Sequence, residues 1–381
     1  MKTPVLILTL FLCIACFKLP SDPYTPPVDV PLDFDWKTIE ARNVVLTTTS
    51  SILDSDGDTV ASFLPAGQYD LIVGKDATLT VNAEPEVVSV PTKAGSGIAQ
   101  RIYFPAKGKY ATVMFEDLFP SKGDMDMNDV VFGLNIEYDL TYLAKVSSII
   151  ITIQPRALGS SYEKIGIAAN LSSSEALDII DYITYNNGPK TGSLFSISTT
   201  NKGYSPENNN SRSQVIPLTG DLRYYFENDV DLFLNVRNID NFTTTHNFSA
   251  KIFFKSSGQK SYSDFTFLDT TRTGKVNFDV FTVFKERTKE VHFKNEKPTE
   301  RFNTSLFIAT RPMTNFSTID NWVWAIISDK SIRHPLEFVK IYNAYPDFKL
   351  WVESSGGTNI KWYSSPTKDS LYTKGNYSYI N

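Results

Sequence analysis

The feature that most constrains this chain is a long succession of short β-type runs separated by turns. From about residue 34 to residue 293, segments rich in Val, Ile, Phe, Tyr and Thr alternate with clusters of Gly, Asp, Asn, Ser and Pro. β-Branched and aromatic residues favour pleated, half-buried surfaces, whereas the intervening residues favour turns. The 381-residue chain is long enough to bury a large core without disulfide bonds. The pattern predicts an all-β fold of antiparallel sheets packed face to face.

The strand-like runs fall into two groups that predict two domains. Residues 34–99 contain a β-branched run, an Asp-Gly turn and an alternating strand, which predict a small antiparallel sandwich of immunoglobulin-like or transthyretin-like type. Residues 100–381 contain a longer series, which predicts a larger antiparallel, jelly-roll-like sandwich. The runs of this second group are RIYFP, YATVMFEDLF, DVVFGLNIEYDL, VSSIIITIQPR, DLFLNVRNI, NFSAKIFFK, KVNFDVFTVF and KEVHF.

One late segment predicts a helix. Pro335 can occupy a first helical turn, where its missing N–H costs nothing, and Leu336, Val339 and Tyr342 follow at helical spacing. Pro346 is expected to disturb this helix, and Gly356 and Gly357 to end the region. The polar stretch 202–213 predicts a long exposed loop, and SSSEALDIIDYI fits neither the helical nor the strand period.

The N-terminus predicts export. Lys2 precedes an apolar stretch, residues 4–14, that is shorter than the roughly 20 residues a membrane-spanning helix needs but has the length of a signal-peptide core. Cys16 follows the small residue Ala15, which resembles the lipobox of bacterial lipoproteins, although Cys13 stands where that box usually has Leu. The resemblance implies a signal peptide at 1–15, cleavage before Cys16 and lipidation of its thiol. An ordinary cleaved signal peptide is the alternative.

The residues after Cys16 predict a tether. Five prolines lie between residues 16 and 33, and proline favours extended backbone, so this stretch is expected to be a semi-rigid spacer between membrane and folded body. Together with the lipobox, it predicts a protein anchored by acyl chains in the outer membrane, facing either the periplasm or the cell surface.

Composition and motifs narrow the classes of function. The net charge is −5 and the Lys and Arg residues are scattered, so the chain has no basic stripe for nucleic acid. No G-x-S-x-G, H-E-x-x-H or P-loop motif is present, and the sequence therefore predicts no enzyme. Glu286, Glu290 and His292 are expected to be solvated on an exposed strand. The tryptophans are expected to pack in the core, with Trp322 and Trp324 on one strand face.

The stretch FEDLFPSKGDMDMNDVVF, residues 115–132, is the strongest candidate site. It carries five carboxylates and one amide between two apolar runs, namely Glu116, Asp117, Asp124, Asp126, Asn128 and Asp129. Alternating side-chain oxygens on a loop suit Ca²⁺, which takes 6–8 oxygens in irregular geometry. Crowded carboxylates repel one another unless a cation offsets them. These six residues therefore predict a calcium site, with a solvated acidic hairpin as the alternative.

The calcium prediction has limits within the sequence. The loop is not an EF-hand, because Asp129 stands at the sixth position where Gly is required and strands replace the flanking helices. A second acidic stretch, LDSDGDTV at residues 53–60, is interpreted as an Asp-Gly turn between strands.

The acidic stretch resembles the signature of the LruC-type domain of Bacteroidota lipoproteins, which has F-E-D-L-x-P followed by G-D-x-D-x-N-D-x-V. PRALGSSYEKIGI, EVHFKNEKPT and HPLEFVKIYNAYPDFKLWV agree as well, so the resemblance covers about residues 100–370. Met127 replaces an aromatic residue and keeps an apolar plug. The resemblance implies an outer-membrane lipoprotein with a β-sandwich ectodomain, but no reaction or ligand.

Two functions remain open from the sequence. The first is a calcium-stabilised, adhesion-type binding or structural module whose partner is an unidentified protein or glycan. The second is a polysaccharide-acting enzyme or a glycan-binding accessory lipoprotein. An open cleft with two facing carboxylates would favour the second.

Overall fold

The computed structural model describes residues 28–85, 100–207, 211–227, 231–308 and 315–380. The predicted signal peptide, Cys16 and the first part of the predicted tether lie outside the described residues. Within the described ranges the strands are β1 (Ile39–Leu46), β2 (Ser50–Leu53), β3 (Thr59–Leu64), β4 (Gly67–Gly74), β5 (Thr80–Ala83), β6 (Gln100–Phe104), β7 (Ala111–Phe115), β8 (Val130–Leu140), β9 (Val146–Ala157), β10 (Ile165–Leu177), β11 (Ile180–Asn186), β12 (Ser211–Thr219), β13 (Phe248–Phe254), β14 (Phe265–Phe267), β15 (Val276–Phe284), β16 (Glu290–Val291) and β17 (Ala325–Ser328).

Helices are few and short in the same ranges. The α-helices are α1 (Ser305–Ile308), α2 (Ile341–Ala344) and α3 (Pro346–Glu353), and single 3₁₀ turns lie at Leu222–Tyr225, Ser256–Gly258, Tyr262–Asp264 and Trp362–Ser364. None of the helices in the described parts of the chain is long and apolar enough to cross a bilayer. The predicted all-β class is confirmed.

The strands form two principal sheets. The ten-stranded sheet has the order β11-β13-β9-β8-β6-β3-β2-β5, with β7 added beside β8 and β17 beside β7. The five-stranded sheet has the order β12-β10-β15-β14, with β16 beside β15. Every strand pair is antiparallel except β14 and β15. A separate ribbon pairs β1 with β4.

Side-chain alternation builds one main core between these sheets. In β13, Phe248, Ala250, Ile252 and Phe254 are buried while the residues between them are partly exposed, as a half-buried strand requires. Their cluster also includes Phe278 of β15, from the other sheet. The two sheets therefore pack as a sandwich over shared apolar side chains.

The predicted division near residue 100 does not separate two bodies in the structure. β3 pairs with β6, with Ala61 opposite Ile102 and Ser62 opposite Arg101. Ile52 and Leu71 belong to the same apolar cluster as β8, β9 and β15. The segment 34–85 thus adds strands to the larger sheet, because its buried side chains meet the main core rather than one another alone.

The late helical region begins at Ile341 with the short α2, six residues after its predicted start, and α3 follows from Pro346. Pro346 occupies the first helical turn of α3, and Phe348, Trp351 and Val352 form its buried face. The helix cannot run on from Pro335, because Phe338 has a positive φ of 64°. Two further predictions are wrong. In its described residues the run DLFLNVRNI forms no named strand, and Leu234 makes only an isolated bridge to Leu158. The stretch 202–213, predicted as one loop, includes the start of β12.

A second apolar cluster fills the space around α2 and α3. It contains Trp36, Trp322, Trp351 and Trp362, together with the N-terminal residues Val28, Val30 and Phe34. Val28 and Val30, from the last part of the predicted tether, are therefore buried in the folded body, whereas Leu32 is exposed. Trp324 lies in the main core instead, so it does not share a face with Trp322 as predicted.

Candidate metal centre

The acidic loop closes the hairpin between β7 and β8. Phe115 and Val130 are direct partners in the antiparallel register, and both are fully buried. Residues 116–129 therefore leave and re-enter the sheet at the same point. The loop ends are fixed by the core, as the flanking apolar runs predicted.

Two residues of the acidic loop have a left-handed backbone conformation. Met125 and Met127 have φ values of 67° and 56°, in the left-handed region that costs a residue other than glycine about 1 kcal/mol or more. Both methionines are buried in the second apolar cluster, and the Met125 carbonyl accepts a hydrogen bond from the N–H of Ile341 at 2.8 Å. The two methionines thus anchor the loop to the second apolar cluster between Asp124, Asp126 and Asn128.

Three of the predicted ligands converge. Glu116, Asp124 and Asp126 each bring a carboxylate oxygen to within 4.8 Å of the others. Glu116 and Asp126 are buried, with exposed fractions of 0% and 1%, whereas Asp124 is partly exposed. The group is thus a buried carboxylate pair with a third carboxylate toward solvent.

Backbone donors satisfy only part of this group. Glu116 Oε1 accepts from the N–H of Met127 at 2.8 Å, while Glu116 Oε2 is buried and has no hydrogen-bond partner among the described residues. Asp126 Oδ2 accepts from the N–H of Phe338 at 2.8 Å, and Asp126 Oδ1 accepts from the N–H of Asn128 at 3.3 Å. An unpaired, buried carboxylate oxygen costs free energy that a bound cation would recover.

Gly123 leaves room beside this unpaired oxygen. It has a φ of 76°, and a Cβ at this position would lie 2.3 Å from Glu116 Oε2. Any other residue would therefore fill the space in front of that oxygen and strain the backbone.

The electrostatics of the loop favour proton or cation uptake. Burial, followed by the charges of Asp129 and Asp126, holds the pKa of Glu116 well above its ordinary value. Burial, followed by the charge of Asp124, raises the pKa of Asp126 to about 8. Burial and Asp117 likewise hold the pKa of Asp129 well above its ordinary range. A cation would favour the charged forms of all three groups.

The other predicted residues flank this convergence. Asp129 Oδ2 accepts from the N–H of Asp117 at 2.7 Å, and Asp117 Oδ2 accepts from the Ser160 hydroxyl at 2.5 Å. Asn128 is fully buried, its Nδ2 donates to the Pro335 carbonyl at 3.4 Å, and its Oδ1 has no partner among the described residues. Three of the six predicted residues thus converge. Of the other three, Asp117 and Asp129 make hydrogen bonds that hold the loop, and Asn128 has an unpartnered oxygen.

Sequence reasoning missed two residues of this centre, Glu337 and Gly159. Glu337 Oε2 is buried without a partner, and burial followed by the charge of Asp124 raises the pKa of Glu337 to about 7. A Cβ on Gly159 would lie 3.0 Å from that oxygen and 2.2 Å from Asn128 Oδ1. Both residues lie in stretches that carry the family resemblance, HPLEFVK and PRALGSS, which was the available signal.

The second acidic stretch is a turn with cationic partners, consistent with its sequence interpretation. Asp54, Asp56 and Asp58 also bring oxygens within 4.8 Å, but Lys330 pairs with Asp56 at 2.6 Å and Lys109 with Asp58 at 3.0 Å. Asp54 Oδ1 accepts from the N–H groups of Asp56 and Asp58, both at 2.9 Å. Lysines already offset part of this charge.

The expectation of a solvated Glu290 and His292 is wrong, whereas Glu286 is exposed as expected. His292 is fully buried, with Nδ1 2.6 Å from Asp279 Oδ2 and Nε2 2.9 Å from Glu290 Oε2. Its ring stacks on Phe281 at 4.3 Å. β15 is an inner strand of the five-stranded sheet. Asp279 of this strand points away from the main core, but other segments cover it, and it is buried.

Comparisons with known proteins identify the family. The model of the family described as a domain of unknown function, DUF4842, matches residues 144–363, and the chain belongs to this family. The match begins after the acidic loop but includes Gly159 and Glu337. No curated protein matches the chain.

The fold resembles that of a crystal structure described as a candidate lipoprotein from Bacteroides ovatus. The TM-score is 0.52 at 17% sequence identity, and the alignment covers 88% of this chain and 94% of that one. At this identity the likeness concerns the fold. It spans nearly the whole of both chains.

Proposed function

We propose that this chain is a lipid-anchored envelope protein, a binding or structural module whose β-sandwich is stabilised by Ca²⁺ at the acidic loop. The observation that carries the proposal is the buried, unpartnered Glu116 Oε2 facing Asp124 and Asp126 across the space beside Gly123. These residues fit a hard divalent cation, because all of their candidate ligand atoms are oxygens. The strained backbone of the loop also holds these side chains in place.

Calcium is preferred over magnesium on coordination grounds. Mg²⁺ requires near-octahedral geometry and retains several waters, whereas Ca²⁺ accepts irregular sets of protein oxygens at 2.3–2.6 Å. Glu116 and Asp126 are buried and their lone pairs partly occupied by backbone donors, so their directions are set by the loop. Such a rigid, irregular set suits the larger ion.

The anchor and the location are proposed from the N-terminal sequence. Cys16 after Ala15 supplies the lipidation site, and the fold likeness is to a protein described as a candidate lipoprotein. The finer family resemblance, to LruC-type lipoproteins, supports an outer-membrane location. Several acyl chains anchor firmly, since each buried CH₂ adds roughly 0.8 kcal/mol.

The proposed role is binding or structural rather than catalytic. Asp279, Glu290 and His292, which could otherwise perform acid–base chemistry, are at most 1% exposed. One observation favours the glycan-binding alternative: a cavity of about 460 Å³ whose lining includes the half-buried Tyr110 and several carboxylate, amide and lysine groups. The buried tryptophans offer no stacking platform, so a sugar would use this cavity, and titration with neutral and amino oligosaccharides tests it.

Thermal unfolding of the full chain in detergent tests the calcium proposal. With Ca²⁺ at a hundredfold excess over Kd, the folded state should gain about 2.7 kcal/mol relative to chelator. Asp126→Asn should lose most of this calcium response. Its amide can keep only one of the two backbone hydrogen bonds that the carboxylate accepts, so the variant should be less stable than the wild type in chelator, and this deficit should widen in calcium. Glu175→Gln, at an exposed position, is the matched control.

The calcium dependence of this deficit separates a cation site from an ordinary acidic hairpin. If calcium leaves the melting temperature of the wild type unchanged, the cation proposal is wrong. If Asp126→Asn loses the same amount of stability in calcium and in chelator, the Asp126 carboxylate acts only as a hydrogen-bond acceptor for backbone N–H groups such as that of Phe338.

A further inference from the structure

We propose that the acidic centre binds two divalent cations, the second between Asn128 and Glu337 beside Gly159. This inference rests on the proposed function, because it extends the same site from one cation to two. It assigns a ligand role to Glu337, which lies on a segment more than 200 residues away in sequence from the acidic loop.

Two unpartnered oxygens mark the second position. Asn128 is fully buried and its Nδ2 donates to the Pro335 carbonyl at 3.4 Å, which fixes the amide with Oδ1 pointing away from that donor bond. Asn128 Oδ1 has no hydrogen-bond partner among the described residues, and neither has the buried Glu337 Oε2. Both atoms are acceptors, so they require a donor or a cation between them.

The two oxygens face the same space. A Cβ on Gly159 would lie 2.2 Å from Asn128 Oδ1 and 3.0 Å from Glu337 Oε2, so the two oxygens are at most about 5 Å apart. Two ligands of one Ca²⁺, each at 2.3–2.6 Å, have separations up to about the same value. The Gly159 N–H donates to the carbonyls of Asn128 and Asp129 at 3.1 Å, which holds the glycine against this space.

This position is separate from the first. Among the described residues near the loop, the carboxylates that meet within 4.8 Å are Glu116, Asp124 and Asp126, and Glu337 is not in that group. Each position therefore has its own unpartnered oxygen and its own glycine: Glu116 Oε2 with Gly123, and Asn128 Oδ1 and Glu337 Oε2 with Gly159.

The local charge favours two cations over one. Six carboxylates gather here, those of Glu116, Asp117, Asp124, Asp126, Asp129 and Glu337. One divalent cation carries only two positive charges against these six carboxyl groups. A second cation would relieve much of the remaining repulsion.

Calcium titration of the full chain in detergent, by calorimetry and by equilibrium dialysis, tests the inference. The wild type should bind two Ca²⁺ per chain. Glu337→Gln and Gly159→Ala should each bind one, with the affinity of the remaining site within a few fold of its wild-type value. If Gly159→Ala fails to fold, Glu337→Gln alone carries the test, because it preserves size.

Asp56→Asn separates this inference from the other acidic loop. It should leave two bound Ca²⁺, and a fall to one would place the second cation at residues 54–58 and overturn the inference. One bound Ca²⁺ in both the wild type and Glu337→Gln would also overturn it while leaving the proposed function intact. No bound Ca²⁺ in the wild type would overturn both.

Discussion

Replacing His292 with glutamine should strongly destabilise the fold and alter its pH dependence. The imidazole lies between Asp279 and Glu290 at 2.6 and 2.9 Å, and all three side chains are at most 1% exposed. A neutral glutamine would leave the buried Asp279 without its cationic partner and Glu290 with Arg287 alone. Breaking a buried ion pair by removing one partner typically costs 3–5 kcal/mol.

The pKa of His292 gives an independent magnitude. Burial lowers it, but Asp279 and Glu290 outweigh burial and raise it to about 9, from 6.5. A shift of this size corresponds to about 3 kcal/mol of stability. Because the folded pKa is the higher one, this stabilisation is fully present below about pH 6.5 and is lost as the pH rises through about 9.

Urea denaturation at several pH values measures both effects. His292→Gln should lose about 3 kcal/mol at pH 6, and its deficit relative to the wild type should shrink as the pH approaches 9. His246→Gln is the matched control, because the His246 side chain is 61% exposed. Equal stabilities of the two variants, or a His292→Gln deficit that grows with pH, would show that His292 does not stabilise the fold as a buried cation.

Three further results are expected. Cys16→Ser should abolish metabolic fatty-acid labelling and detergent-phase partitioning; persistent labelling would contradict anchoring at Cys16. Gly123→Ala should weaken calcium binding at least tenfold in calorimetry, because its methyl group would lie 2.3 Å from Glu116 Oε2 on a backbone with positive φ; unchanged affinity would argue against that oxygen as a ligand. Trp351→Ala should cost about 3–5 kcal/mol in urea denaturation, because the indole is 1% exposed between Phe34 and Trp362; a loss below about 1 kcal/mol would contradict its role in the second cluster.

Elements with a strong local pattern were predictable from the sequence. β8, β9, β13 and β15 lie where β-branched and aromatic runs predicted strands, because burial against a sheet depends on the residue types of the run itself. The acidic loop was likewise located from composition alone. Its closure by Phe115 and Val130 follows from the apolar runs on either side.

The remaining features depend on contacts between segments distant in sequence. The helical spacing after Pro335 gave a wrong start, because Asp126 holds the N–H of Phe338 and the chain takes a positive φ there. Glu290 appeared solvated in the sequence, but Arg287 and His292 pair with it under cover of other segments. Glu337 has no acidic neighbours in sequence, and its place beside Asn128 follows only from the folded backbone.

A crystal structure of the full-length chain grown with calcium, with anomalous diffraction recorded, would locate a cation at the acidic loop. The proposed calcium site should give an anomalous peak 2.3–2.6 Å from Glu116 Oε2, with Asp124 and Asp126 as further ligands. Absence of a peak at millimolar calcium, with Glu116 Oε2 paired to a protein donor or a water, would contradict it.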